Sequence, residues 1–455
     1  MAARDPYEAE RILEWVLRHD FRRVALQLPE DLLDTAPAAV RRLRLALPGR
    51  RVFVLGVLAG ASDGSGCIDE VGAAHYGADC VVHVGPSDQV QSGSLPVLFV
   101  FGHAPVDLGA LEAKSFPVVL DGLRAAQEEA SLLRDAVVLL ICDVALQHEL
   151  AGMIQVAEKV FANAGVKIMV AEPCMEASQE DDLQLPLWSD PRYGPLYIGS
   201  ACWSCLGAVA AVAAATEYDW EHARPFKVCG RRVRWHTMRY SDVSSQGLQH
   251  PSSSSTSAAR RRSIEGQPRH LPVKCGIAYL GPHGSSFERR LLLRYGSSHE
   301  VWHVDPSGTQ RPKLLSSQAL LLQRYRLVEC VRAAESVGLL LSMAAPHHAR
   351  AVADRLEVLL RQAGRHVYRF VVSQVTAEML GNFPEVQCFV SLASAEHFPL
   401  NTKDIPFPIA APFEVEVALG VRAWTGDYIA DLEELLRNPP VSGPTAEAFQ
   451  VQTPG

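Results

Sequence analysis

The residues with the clearest capacity for chemistry are Gly64, Gly66 and Cys67, inside the run GASDGSGCIDE at 60–70. The run follows a β-branched stretch at 52–57 and opens a helix pattern, and strand-to-helix turns are where α/β sheets place ligands. Glycines let backbone N–H groups close on an anion, and a cysteine at a helix N-terminus has a lowered thiol pKa that suits thiolate ligation. Gly64 and Gly66 are therefore candidate cofactor-binding residues and Cys67 a candidate metal ligand. The run matches neither GxGxxG nor the phosphate-binding GxxxxGK pattern, so taken alone a tight turn without ligand is the commoner reading.

A second constellation is Cys202-Trp203-Ser204-Cys205, a CxxC with no second CxxC at zinc-ribbon spacing. Cys229 and Cys275 are the nearest completers, and incidental core cysteines are favoured over a metal site. Cys142, Cys275, Cys330 and Cys388 lie within strand or helix patterns and read as buried small hydrophobes. His347 and His348 follow a strand, where a helix start is commoner than ligand contact. No local signature of a Ser/His/Asp triad is present.

The elements that must position these residues form a repeating unit, a helix-period segment followed by a short β-branched run, which predicts helices on the faces of parallel sheets. Strands are expected at 24–28, 52–57, 80–84 and 97–101; at 136–142, 166–170, 275–280 and 300–304; and at 337–342, 366–372, 388–392 and 405–412. Helices are expected at 7–20, 147–164 and 317–335, and up to 363. The fold class is α/β, with three pseudo-symmetric lobes, each a small mostly parallel sheet flanked by helices. The lobes span 1–115, 116–315 and 316–436, with a Ser/Arg-rich flexible insertion at about 241–268 and a flexible tail at 437–455.

A chain of 455 residues, 48% hydrophobic and 21% charged, exceeds what one core organises,. Its net charge of −8, without a concentrated basic stripe, argues against gripping nucleic acid and points to protein and small-molecule partners,. Ten scattered cysteines fit a reducing compartment,. The first ten residues carry no signal-peptide pattern, and the small-apolar run at 206–215 is half of the ~20 residues a membrane span needs. A cytoplasmic location without a membrane anchor is the expectation.

Several stretches, in order along the chain, resemble the 2-(3-amino-3-carboxypropyl)histidine synthase subunits of diphthamide biosynthesis, in particular the subunit-two branch. They are VALQLPEDLL at 24–33, GSGCID at 64–69, YGAD at 76–79, VHVGP at 82–86, IAYLG at 277–281, FPEVQCFV at 383–390 and PIAAPFE at 408–414. The resemblance implies three lobes facing a central cavity, each typically offering one cysteine to a 4Fe-4S cluster. In that family the cluster cleaves S-adenosylmethionine to an aminocarboxypropyl radical, which adds to a histidine of translation elongation factor two. The eukaryotic radical enzyme is a heterodimer of two related subunits served by an electron-donor protein.

Cys67 stands at the first-lobe cysteine position, and Cys174, after a middle-lobe strand, is a second candidate metal ligand. Ser87-Asp88 and Ala393-Ser394 stand where the family can carry cysteine. With at most two thiolates, the resemblance implies a supporting subunit that aids reduction or stability of a cluster held by the partner, the cluster here being weak or absent. The alternatives are a doubly wound nucleotide-cofactor enzyme, which lacks its GxGxxG here, and a zinc-stapled interaction module resting on Cys202 and Cys205.

Overall fold

Four apolar runs make the first sheet: β1 (Arg23–Gln27), β2 (Arg51–Leu55), β3 (Cys80–Val84) and β4 (Val97–Val100). They pair in parallel in the spatial order β2-β1-β3-β4. Every residue of β3 and β4 is buried, because helices cover both faces of a parallel sheet,. In the helix Ala9–Arg18, Ile12, Trp15 and Val16 form the buried stripe; with the helix Ala36–Ala46 it covers Val24, Leu26, Val82 and Leu98,. On the other face Ala73, from the short helix Glu70–His75, packs with Ala25, Val81 and Phe99.

The next strands are β5 (Val137–Cys142), β6 (Lys167–Glu172) and β7 (Glu176–Ala177). Strand β7 returns to the first sheet, antiparallel beside β4. Then come β8 (Phe226–Val228), β9 (Arg231–His236), β10 (Cys275–Leu280), β11 (Glu300–Val304) and β12 (Lys313–Leu315). The second sheet has a parallel centre, β6-β5-β10-β11, extended antiparallel by β9 and β8 at one edge and by β12 at the other. The third sheet is β13 (Ser336–Ser342), β14 (His366–Val372), β15 (Cys388–Ser391) and β16 (Ile409–Ala410), wholly parallel in the order β14-β13-β15-β16.

Numbered within each unit, the parallel centre has one order in all three sheets: second, first, third, fourth. In such a doubly wound sheet the winding reverses between the first and third strands, and the crevice for ligands opens beyond their carboxyl ends. The computed structural model describes residues 7–29, 32–55, 68–85, 87, 95–125, 137–173, 175–177, 226–228, 231–236, 275–342, 347–372, 375–392, 405–424 and 428–437. Among them no helix is long and apolar enough to cross a membrane.

The strands expected at 275–280, 300–304 and 366–372 form with those bounds. The run at 405–412 yields only Ile409–Ala410, because Pro412 starts the helix Pro412–Ala418, a position that suits its fixed φ and missing N–H,. His347 and His348 open the helix His347–Gln362. The third unit buries two carboxylates. Glu414 accepts from Arg324 Nε at 2.5 Å, Arg324 Nη2 at 2.8 Å and Tyr428 Oη at 2.9 Å. Glu416 pairs with Arg355 and with Arg422. Burial pushes both carboxyl pKa values up, against the pull of the guanidinium groups,.

Candidate functional site

Gln27 is the last residue of β1, and the strand register sets it beside His83, with His83 beside Phe99. These three form a row across the carboxyl end of the first sheet, and a different chain segment is tied to each end of it. At one end Asp69 N–H donates to Gln27 Oε1 at 3.0 Å, and the Asp69 carboxylate caps the helix Glu70–His75 by accepting from Gly72 N–H at 2.8 Å,. At the other end Phe99 N–H donates to the Met175 carbonyl at 3.0 Å, which Arg11 Nη2 also reaches at 3.3 Å. Two strand spacings separate Gln27 from Phe99, about 10 Å. Ile68 and Met175 pack against the same apolar cluster, which contains Ala25, Val81 and Phe99.

Cys67 and Cys174 immediately precede these two anchored residues. Both cysteines lie outside the described residues, as do Gly64, Gly66, Asp88, Ser394, Cys202 and Cys205. Within the described part, Gly85 follows β3 with φ +109° and donates its N–H to Val100 O at 2.8 Å. A Cβ there would sit in a backbone region that L-residues rarely adopt. Ser87, two residues on, is buried and presents a hydroxyl, a poor ligand for iron,.

The equivalent edge of the second sheet is polar. Asp143 follows β5, donates its N–H to Leu280 O at 2.6 Å and accepts from Ala145 N–H at 3.0 Å. Tyr279 Oη lies 3.4 Å from Asp143 Oδ2 and 3.0 Å from Ser285 Oγ. Gly281 is required beside them, since a Cβ would fall 2.5 Å from Tyr279 Oη and 2.9 Å from Asp143 Cβ. Arg231 donates to the Cys142 carbonyl and stacks on Phe287 at 4.0 Å. His283, Glu288 and His303 also converge here. None of the residues along this edge was singled out as a site in the sequence; the usable signal was the helix-start pattern Ser285-x-x-Glu288 after an apolar strand.

The described cysteines bear on cluster chemistry. Cys80, Cys142 and Cys388 are buried within strands. Burial pushes the Cys142 thiol up to about 12, with Arg231 opposing and Asp143 adding, and the Cys388 thiol to about 12, with Cys330 and Glu414 adding. Burial raises Cys80 as well, helped by Asp79. Thiols held protonated inside sheets do not fit a 4Fe-4S cluster, which takes thiolates. Among the described residues no group of three convergent ligand side chains includes a cysteine.

Fold and edges together define an α/β protein of three doubly wound, mostly parallel sheets, the class that takes ligands beyond the carboxyl ends of its strands,. The family model of diphthamide synthesis proteins matches residues 28–246 and 236–429, and the chain belongs to that family. The 2-(3-amino-3-carboxypropyl)histidine synthase subunit 2 of Gallus gallus is 27% identical over 97% of this chain and 75% of its own length. The subunit 2 proteins of Danio rerio and Schizosaccharomyces pombe are 24% and 23% identical, covering 94% and 95% of this chain and 71% and 68% of theirs. Among solved structures, Dph2 from Pyrococcus horikoshii with a 4Fe-4S cluster superposes with a TM-score of 0.52 at 17% identity, covering 96% of this chain and 95% of that one. This agrees with the three-sheet α/β fold.

Proposed function

We propose that this chain is the supporting subunit of a two-chain synthase that transfers a 3-amino-3-carboxypropyl group from S-adenosylmethionine to a histidine of translation elongation factor two. The observation that carries the reading is similarity along nearly the whole chain to relatives named subunit 2 of that synthase. The supporting role follows from the residues: burial holds the Cys80, Cys142 and Cys388 thiols protonated, and Ser87-Asp88 and Ala393-Ser394 stand where the family can carry cysteine,. The resemblance points to Cys67 and Cys174 as the two thiolates this chain offers, with Gly64 and Gly66 as candidate cofactor-binding residues. The main 4Fe-4S cluster then belongs to the partner, and this chain aids its reduction or stability. Lobes 1–115, 116–315 and 316–436, a cytoplasmic setting and an electron-donor protein complete the proposal.

The test is co-purification with the related subunit one in the absence of oxygen, followed by assay of elongation factor two with S-adenosylmethionine and a reductant. Modification should require both chains, with most iron and sulfide bound to the partner. Modification by this chain alone, or no association at micromolar concentration, would overturn the reading.

A further inference from the structure

His283, Glu288 and His303 come from three elements. His283 lies in the loop after β10, Glu288 in the first turn of the helix Ser286–Tyr295, and His303 in β11, paired in register with Tyr279. One ligand atom from each lies within 4.8 Å of the others. The Glu288 side chain is only 3% exposed and His303 5%, whereas His283 is 48% exposed. His283 Nδ1 is 3.1 Å from Glu288 Oε1, and His303 Nε2 is 3.9 Å from Glu288 Oε2.

The surroundings orient the carboxylate. Gly284 N–H donates to Glu288 Oε1 at 3.0 Å, and Ser285 Oγ accepts from Glu288 N–H at 3.1 Å, which locks the turn carrying it. Outer bonds of this kind fix ligand groups around metals. A buried carboxylate is costly unless paired, and imidazole partners alone can satisfy it as a hydrogen-bonded network. The convergence of a second imidazole from a separate strand is what a network of Glu288 with His283 does not need. Bonds of 2.0–2.2 Å to one ion place donor atoms roughly 3.4 Å apart, so His303 Nε2 must exchange its 2.9 Å contact with Gly281 O for the ion, and ligand atoms now up to 4.8 Å apart must close by as much as about 1.4 Å,.

We propose that His283, Glu288 and His303 bind one divalent cation of the zinc class, with a fourth coordination position open to solvent beside His283. Two imidazoles and a carboxylate favour zinc, cobalt or nickel over calcium and magnesium, and a three-residue set leaves room for a water or substrate oxygen.

The experiment is a Co²⁺ titration of the full-length chain after chelator treatment. One equivalent should bind with the weak visible bands of a nitrogen/oxygen ligand set. His283→Ala, at a half-exposed position, should keep the wild-type circular dichroism and weaken that equivalent about 100-fold or more, since loss of an outer-shell partner alone costs 10–100-fold. Glu288→Gln, which keeps the side-chain shape, should weaken it comparably. A wild type without saturable cobalt bands, or a folded His283→Ala that binds as the wild type does, would overturn the site. Binding seen only through intense thiolate charge-transfer bands would do the same. Because the readout is metal binding by this chain alone, its failure leaves the subunit proposal untouched.

Discussion

The Gln27 side chain accepts the backbone N–H of Asp69 at 3.0 Å, joining the carboxyl end of β1 to the start of the helix Glu70–His75. Gln27 is 8% exposed and Asp69 half-buried, so removing the Gln27 amide strands a partly buried donor. Gln27→Leu should cost about 1–3 kcal/mol in denaturant unfolding. Asp69→Ala should cost about 1 kcal/mol through loss of the helix cap, and Asp69→Asn, itself a good cap, much less. Equal losses for the Asn and Ala variants would contradict the capping role.

Glu414 in the third unit tests a buried charge. Glu414→Gln leaves the Arg324 guanidinium, 4% exposed, without its anion and should lower stability by about 3–5 kcal/mol,. The double variant Arg324→Met, Glu414→Leu should recover much of that loss. Additive effects of the two single changes in a double-mutant cycle would show that the pair is not coupled.

His299 gives a pH signature. Burial lowers its pKa from 6.5 to about 4, with the bond to Tyr295 opposing. The folded state therefore binds the proton less well than the unfolded chain. Stability is unaffected above pH 6.5 and is lost as pH falls from 6.5 towards 4, by about 1–2 kcal/mol after solvent screening of a partly exposed ring. His299→Gln should flatten unfolding free energy across that window, whereas an unchanged slope would assign the effect elsewhere.

Cys67 and Cys388 should behave differently. In anaerobically reconstituted protein, Cys67→Ser is expected to remove whatever iron absorbance the wild-type chain carries. Cys388→Ser, which changes a buried strand thiol, should leave it intact. In the two-chain enzyme Cys67→Ser should lower histidine modification far less than loss of a cluster cysteine in the partner. Abolished modification with normal partner binding would place the active cluster in this chain.

The central strands were legible because each is an apolar run buried on both faces, as β5 and β3 show,. The hairpin of β8 and β9 escaped notice because Lys227 in β8 and Arg231, Arg232 and Arg234 in β9 break any apolar run, although Cys229-Gly230 between the two was a usable turn signal,. Strands β7 and β12, of two and three residues, are too short for any period to register. At the site, the sequence singled out the glycine-rich segment before Asp69 but not the bond from Asp69 to Gln27. The meeting of His283 with His303 was hidden because it depends on the register of β10 against β11, which no local pattern encodes.

The position of β5 between β6 and β10 has a consequence for synthesis. A nascent chain pairs β5 with β6 early, but the other edge of β5 waits for β10, and residues 143–274 must emerge in between. At ribosomal speeds of 5–20 residues per second that interval is roughly ten seconds. Throughout it, a strand whose six residues are all buried in the finished protein offers an open apolar edge, the template on which chains aggregate,. Chains stopped before residue 275 should therefore depend on chaperones or fall out of solution, while those that have released β11 should not.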